Sequence, residues 1–164
     1  YGASQRGGSV MSHVRVSAKM DPSVLIPSGE AHIIIGFEPL ETLRMVHKYA
    51  GKDTTVVYDP RPVYPLGVLQ GIQQYPAVED IAAEIQDLTA TALAVPAADI
   101  AMRAGDSKAA NIALLGAFSQ LPGAPLSRED LEKILTQRFK GAVLEVNQRA
   151  FAMGCEAAGK EAAQ

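Results

Sequence analysis

The residues near the start of the chain that could do chemistry are one arginine and two adjoining glycines. Arg6 precedes Gly7 and Gly8 in the turn-like sequence YGASQRGG. Paired glycines accept positive φ angles and let another molecule approach the backbone closely, because no Cβ stands in the way. A guanidinium keeps its charge and can donate two parallel hydrogen bonds to a carboxylate or a phosphate. The pattern indicates anion binding by Arg6; the alternative is an arginine that ties the turn to its own domain.

No combination of side chains in the sequence is typical of an independent active site. The chain has no G-x-S-x-G elbow and no H-E-x-x-H metal motif. Ser9 and His13 would share a strand face, but about 13 Å of strand separates them, too far for a nucleophile and its base. Cys155 is the only cysteine, so this chain alone cannot supply a four-cysteine iron–sulfur cluster, and we interpret Cys155 as a small apolar helix residue. We therefore expect no catalytic residue and no metal site.

Composition and charge exclude several classes of protein. The 164 residues are 48% hydrophobic and 20% charged, with a net charge of −3, which is ordinary for one globular domain. A nucleic-acid-binding protein would carry a basic stripe, and no apolar run is long enough to span a bilayer. The visible start has no signal-peptide pattern. We expect a cytoplasmic protein with a single domain over residues 1–164.

The first predicted strand covers residues 9–17. Val10, Val14 and Val16 alternate with polar residues, the period of a half-buried strand. His13 and Arg15 would share the other face, where we regard them as interface or sheet-surface groups and only weak ligand candidates.

The later segments alternate between strands and helices. Residues 31–37, 54–58 and 89–95 are short and almost wholly apolar, which predicts strands buried on both faces. Helical spacing predicts helices after Pro39 up to Gly51 and at residues 76–88, 97–103, 107–120, 127–139 and 142–158, with Ser127 capping the fifth. His32, at a strand entrance, is interpreted as solvated or backbone-bonded.

Two segments between these elements leave alternatives open. Three prolines stiffen residues 59–65, which predicts either a surface that packs on a partner or a simple connection. Residues 67–75 fit a strand or a turn. The alternation as a whole predicts an α/β fold: a three-layer α/β/α domain with a mixed, largely parallel sheet and an α-rich C-terminal third.

The N-terminal string YGASQRGGSVMSHVRVS resembles the hallmark segment of the gamma subunit, or gamma domain, of 2-oxoacid:acceptor oxidoreductases. These include the pyruvate, 2-oxoglutarate and indolepyruvate ferredoxin oxidoreductases. AANIALLGAF and VNQRAFAMG resemble the Asn-bearing helix starts of the same family, so the similarity covers nearly the whole chain. Family members normally begin with a strand and a G-x-G-G-Q-G turn into a helix. This chain starts at Tyr1 without that unit, and we expect it to be N-terminally incomplete.

The resemblance implies a role inside a complex. In this family thiamine diphosphate, iron–sulfur clusters and CoA carry out the oxidative decarboxylation of a 2-oxoacid to an acyl-CoA, and other subunits hold the thiamine and the clusters. The implied partners are alpha-, beta- and delta-type subunits, ferredoxin through the complex, CoA and, as a further option, a second copy of this chain. No nucleic acid and no membrane is expected.

The resemblance also gives the candidate cofactor-binding residues, which are Arg6, Gly7, Gly8 and Asn111. Arg6 would bind a CoA phosphate, a substrate carboxylate or a partner carboxylate. Asn111 would donate to a ligand or cap the helix that follows Asp106, and Asn147 would support contacts between helices. The isolated chain is expected to be inactive. The alternative function is a stand-alone nucleotide- or CoA-binding scaffold or regulatory module.

Overall fold

A computed structural model of the chain describes residues 10–17 and 24–161. Its strands are β1 (Ala31–Gly36), β2 (Ala50–Tyr58) and β3 (Thr91–Ala94). Its helices are α1 (Pro39–Tyr49), α2 (Leu66–Leu69), α3 (Val78–Leu88), α4 (Ala97–Ala104), α5 (Ala110–Phe118), α6 (Arg128–Arg138) and α7 (Gly141–Glu161), with a 3₁₀ turn at Ser107–Ala109. Among the described helices, none combines the length and the apolar character needed to cross a bilayer.

The strands form a parallel sheet in the order β1-β2-β3. The central strand, β2, is buried on both faces: Val56 and Tyr58 pack into one hydrophobic cluster and Val57 into another. A parallel sheet of this kind needs helices on both faces. Helices α1 and α3 cover the first cluster, and α4, α5 and α7 cover the second. The predicted three-layer α/β fold is therefore confirmed, and so is its helical C-terminal part.

The strand predicted at residues 9–17 is wrong over its described part. Residues 10–17 have no regular secondary structure, and Val10, Val14 and Val16 are 71–78% exposed. The segment has the alternating pattern of a strand, but it pairs with no strand in the part of the chain that is described. The sheet there contains parallel strands and lacks the antiparallel strand that a mixed sheet would add. Instead, the Ile26 N–H donates to Nδ1 of His13 over 3.1 Å, and Arg15 donates to the Leu25 carbonyl over 2.9 Å.

Two other segments were compared with their predicted secondary structure, and local hydrogen bonds explain where their helices begin. Residues 67–75, left open between strand and turn, begin within the short helix α2 and continue as a turn. The helix predicted from residue 107 begins with a 3₁₀ turn because Asp106 accepts the Lys108 N–H over 2.9 Å. Ser127 caps α6 as predicted, since its hydroxyl accepts the Asp130 N–H.

Helices α5 and α7 cross with their backbones in direct contact. A Cβ at Gly116 would lie 2.1 Å from the Phe151 carbonyl oxygen, and one at Gly154 would lie 2.0 Å from the Ala113 carbonyl oxygen. Real Cβ atoms do not approach backbone oxygens this closely, so both positions require glycine. The Cys155 thiol lies 3.3 Å from the Gly116 carbonyl oxygen, and its buried position confirms the interpretation of Cys155 as a packing residue.

The long connection between β2 and α3 is fixed at its far end by Tyr75. Its hydroxyl donates to the buried Glu38 carboxylate and accepts the Leu40 N–H over 3.3 Å. Tyr64 packs edge-on against the Tyr75 ring at 5.2 Å between centroids. Burial, together with the hydrogen bond to Glu38, raises the pKa of Tyr75 well above its ordinary value. The hydroxyl therefore stays protonated and continues to donate.

We expect Gly116→Ala to destabilise the protein by about 1–3 kcal/mol, because the added methyl group pushes α5 away from α7. Gly159→Ala is the matched control: it lies on α7, and a Cβ added there would meet nothing within 4 Å. It should leave stability unchanged or raise it by less than about 1 kcal/mol. Urea unfolding of both variants measures the difference. Equal stability of the two variants would contradict the close crossing.

We expect Tyr75→Phe to lower stability by about 1–3 kcal/mol near neutral pH, because the buried Glu38 carboxylate loses one of its two hydrogen-bond donors. The folded protein holds the Tyr75 proton more tightly than the unfolded chain does. The stabilisation is thus complete below the unfolded pKa of about 10 and is lost as pH rises from there toward the raised folded pKa. Unfolding measured from pH 7 upward should show the gap between wild type and variant closing above about pH 10. A gap that stays constant would contradict this role.

Candidate functional site

Three of the four residues predicted to bind a cofactor lie outside the described part of the chain. These are Arg6, Gly7 and Gly8, and anion binding by their turn stays a prediction. The fourth, Asn111, is exposed in the first turn of α5 and lines a cleft of about 370 Å³ between the start of α5 and the start of α7. Asn147 lines the same cleft. The structure thus brings together the two asparagines of the two helix-start motifs.

The turn before α5 is held by specific contacts. Gly105 ends α4 with a φ of 117°, in the left-handed region that favours glycine. The Arg149 guanidinium donates to the Ala104 carbonyl from Nε at 3.1 Å and from one terminal nitrogen at 2.8 Å. Asp106 then caps the next turn. Asn111 lies inside the first turn of α5, and Asp106 caps the 3₁₀ turn before it, so Asn111 does not have the capping role considered for it.

Asn147 differs from Asn111 in its burial. Only 7% of its surface is exposed, and its carboxamide is not among the buried polar atoms that lack a hydrogen-bond partner in the described part of the chain. That Asn147 supports contacts between helices stays a prediction.

The rest of the cleft is apolar with charged groups at its edge. Apolar side chains supply most of the lining, namely Ile112, Phe139, Ala142, Val143 and Val146, while Asp106 and Lys108 contribute the charges. Such a surface can bind and orient a molecule through hydrogen bonds and apolar contact. No described group of three or more His, Cys, Asp or Glu residues could hold a metal ion.

A second polar region lies where the parallel strands end, the edge at which α/β proteins bind ligands. Asp59, buried directly after β2, accepts the Ala98 N–H over 2.7 Å and the Arg61 N–H over 3.0 Å. Glu38, buried two residues after β1, accepts the Glu41 N–H and the Tyr75 hydroxyl. Both carboxylates are occupied by the backbone and by Tyr75, so they position α1, α4 and the connection from β2 to α3. The sequence analysis missed both Asp59 and Glu38. The pattern that could have indicated them is an acidic residue within two positions of the end of a predicted buried strand.

The weaker ligand candidates, His13, Arg15 and His32, make contacts within the domain or face solvent. The His13 ring lies edge-on against Tyr49, with 5.1 Å between centroids, and its Nδ1 accepts the Ile26 N–H. Arg15 holds the Leu25 carbonyl. His32 is exposed on β1, as expected for a solvated histidine.

The connection between β2 and α3 exposes large apolar side chains. We call residues 63–72 the apolar loop, because five of its ten residues are large, apolar and 47–76% exposed: Val63, Tyr64, Leu66, Leu69 and Ile72. The helix within it, α2, buries none of its residues. Concentrated exposure of this kind marks a surface that another molecule covers.

Comparison with known proteins identifies the family. A family model described as pyruvate ferredoxin/flavodoxin oxidoreductase matches residues 1–157. Indolepyruvate oxidoreductase subunit IorB of Thermococcus kodakarensis is 35% identical over 159 residues, covering 96% of this chain and 78% of the relative. The subunit of the same name from Archaeoglobus fulgidus is 34% identical over 154 residues, covering 94% and 75%.

Two solved structures share the fold. The gamma subunit of a keto/oxoacid ferredoxin oxidoreductase from Geobacter sulfurreducens superposes with a TM-score of 0.56 at 23% identity, over 80% of this chain and 66% of that one. A 2-oxoglutarate:ferredoxin oxidoreductase from Magnetococcus marinus gives 0.56 at 22% identity, over 84% of this chain and 22% of that one. The family model, the curated relatives and the fold agree with the resemblance drawn from the N-terminal string and the two asparagine motifs. The chain belongs to the pyruvate ferredoxin/flavodoxin oxidoreductase family.

Proposed function

We propose that this chain is the gamma subunit of a cytoplasmic 2-oxoacid:ferredoxin oxidoreductase, in which it forms a single domain. The complex decarboxylates an aryl 2-oxoacid of the indolepyruvate type, transfers the acyl group to CoA and passes two electrons to ferredoxin. The observation that carries the proposal is the match to subunits named for indolepyruvate oxidation, which extends over 96% of this chain.

The reactive cofactors of the proposed complex lie on other subunits. The single cysteine of this chain is buried between α5 and α7, so its residues do not fit a four-cysteine cluster. We assign the iron–sulfur clusters and thiamine diphosphate to partner subunits. This chain contributes shape and contacts, which is how a protein supports chemistry that a cofactor performs.

The role proposed for this chain lies on the CoA side of the complex. Arg6 would bind a CoA phosphate, with Gly7 and Gly8 allowing the backbone to approach it. Asn111 would donate to the same molecule from the edge of the cleft. Support for Asn111 comes from its exposure and from its place beside Lys108.

The apolar loop is proposed as the contact with a partner subunit. It is fixed at its two ends by Asp59 and Tyr75, so its apolar side chains are presented from a rigid base. A loop that is already ordered loses little conformational entropy when a partner covers it. Large apolar side chains of this kind supply most of the binding energy at the centre of an interface.

The proposed activity is tested by reconstitution. We expect the isolated chain to reduce no ferredoxin or dye with indolepyruvate and CoA, and co-expression with the thiamine-bearing and cluster-bearing subunits to give CoA-dependent reduction. Turnover by the isolated chain without thiamine or iron would contradict the subunit role. Faster turnover with pyruvate or 2-oxoglutarate than with indolepyruvate would contradict the proposed substrate class.

The role of Arg6 is tested in the reconstituted complex. We expect Arg6→Ala to raise the KM for CoA about tenfold, because one charge-assisted hydrogen bond is lost. An unchanged KM would remove Arg6 from the CoA site.

The docking role of the apolar loop is tested by placing a charge in it. We expect Leu69→Asp to prevent co-purification with partner subunits, because a carboxylate would be buried without a partner. Ile134→Asp is the matched control: Ile134 is 45% exposed on α6, outside the loop, and should leave assembly intact. Both variants should keep the unfolding midpoint of the wild type, since both side chains are exposed. Normal assembly of the Leu69 variant would contradict the proposal.

A further inference from the structure

The connection between β2 and α3 lies at the surface, yet buried carboxylates hold both of its ends. Residues 60–77 are all exposed or half-buried, and they include the whole apolar loop. At the start of the connection, the buried Asp59 accepts the Arg61 N–H over 3.0 Å. At its far end, the buried Glu38 accepts the Tyr75 hydroxyl. Burial of a carboxylate costs free energy unless hydrogen bonds offset it, so these contacts are specific anchors for a segment that adds little to the core.

Glu38 is itself held firmly by the start of α1. One of its carboxylate oxygens accepts the Glu41 N–H over 2.8 Å and so caps the helix. Its carbonyl oxygen accepts from Thr42 twice, from the hydroxyl at 2.6 Å and from the N–H at 3.0 Å. The Tyr75 hydroxyl, which donates to the other carboxylate oxygen, also accepts the Leu40 N–H over 3.3 Å. The first turn of α1 is therefore a rigid base for the far end of the connection.

The Tyr75 side chain links this base to the apolar loop. Its ring packs at the edge of the hydrophobic cluster that α1 and α3 cover. The ring of Tyr64, within the loop, lies edge-on against it with 5.2 Å between centroids. Apolar packing is non-directional, whereas a hydrogen bond depends on distance and angle. The hydrogen bond to Glu38 therefore fixes the orientation of the Tyr75 ring, and with it the place of Tyr64 and of the loop.

We propose that Glu38 and Tyr75 are positioning residues for assembly, because their hydrogen bond holds the apolar loop in the position that a partner subunit binds. Glu38 acts through Tyr75, and Tyr75 acts through the loop. The inference rests on the proposed function, which supplies a partner subunit as the molecule that covers the loop. A loop that occupies its bound position for only part of the time binds more weakly in proportion. A hydrogen bond inside this chain would thus contribute to the affinity of the complex.

The test measures the affinity of the whole chain for the thiamine-bearing and cluster-bearing subunits, co-expressed in its absence, with every variant fully folded. We expect Tyr75→Phe to raise the dissociation constant about tenfold, the equivalent of one hydrogen bond to a charged group. Gly116→Ala is the control for lost stability, because it loosens the crossing of α5 and α7 and leaves the anchors in place. It should leave the dissociation constant unchanged. Glu38→Ala should weaken binding as Tyr75→Phe does, and the double variant should bind no more weakly than Glu38→Ala alone.

A second measurement requires no partner. Thermolysin cuts before large apolar residues such as those of the apolar loop, and a cut requires the segment to open locally. We expect the isolated Tyr75→Phe chain to be cut within residues 63–72 severalfold faster than the wild type. Gly116→Ala should be cut there at the wild-type rate.

The outcomes separate this role from the proposed function. Equal partner affinity of the wild type and Tyr75→Phe would overturn the positioning role, and so would an equal loss of affinity in Tyr75→Phe and Gly116→Ala. If binding is lost in Leu69→Asp but normal in Tyr75→Phe, the docking role of the loop stands without the positioning role. A wild-type chain that binds no partner subunit would overturn the proposed function itself, and this role with it. If Tyr75→Phe does not fold, the comparison of Glu38→Ala with Gly116→Ala decides in the same way.

Discussion

The direct contact between the backbones of α5 and α7 is the constraint on which the C-terminal half of this domain depends. Gly116 and Gly154 remove two side chains at the crossing, so each helix backbone touches the other. The larger hydrophobic cluster then forms around this crossing, with Leu114, Ala117 and Phe151 among its buried members. Close packing makes such a core intolerant of even one added methyl group.

The helices on the two faces of the sheet form different surface features. On the face of α1 and α3, the polar contacts at the strand ends hold the connection between β2 and α3, where buried Glu38 and Asp59 receive their hydrogen bonds from backbone and from Tyr75. This connection presents the apolar loop. On the other face, the helices enclose the cleft with Asn111 and Asn147.

Much of the architecture could be predicted from local patterns. The runs that became β1, β2 and β3 are short and mostly apolar, which favours strands of a parallel sheet between helices. Burial on both faces was predicted for all three, but β1 exposes His32 and Ile35 and β3 exposes Thr91. The segment at residues 10–17 has an equally regular pattern, yet it forms no strand. A strand needs a neighbour to receive its hydrogen bonds, and alternation by itself cannot supply one. Similarly, Asn111 and Asn147 were identified by their motifs, but nothing in the motifs indicates that one is exposed and the other buried.

The sequence by itself determined the α/β class, the three strands and most of the helices from residue 31 onward, the family, and the residue types available for binding. These follow from periodicity, from caps such as Ser127 and from motifs, all of which act over a few residues. Only the tertiary structure decided which distant residues meet: Tyr75 with Glu38, Asp59 with Ala98, Gly116 with Phe151, and Asn111 with Asn147 across one cleft. Partners separated by more than thirty residues are brought together by the packing of the whole core, and that packing is a property of the entire chain.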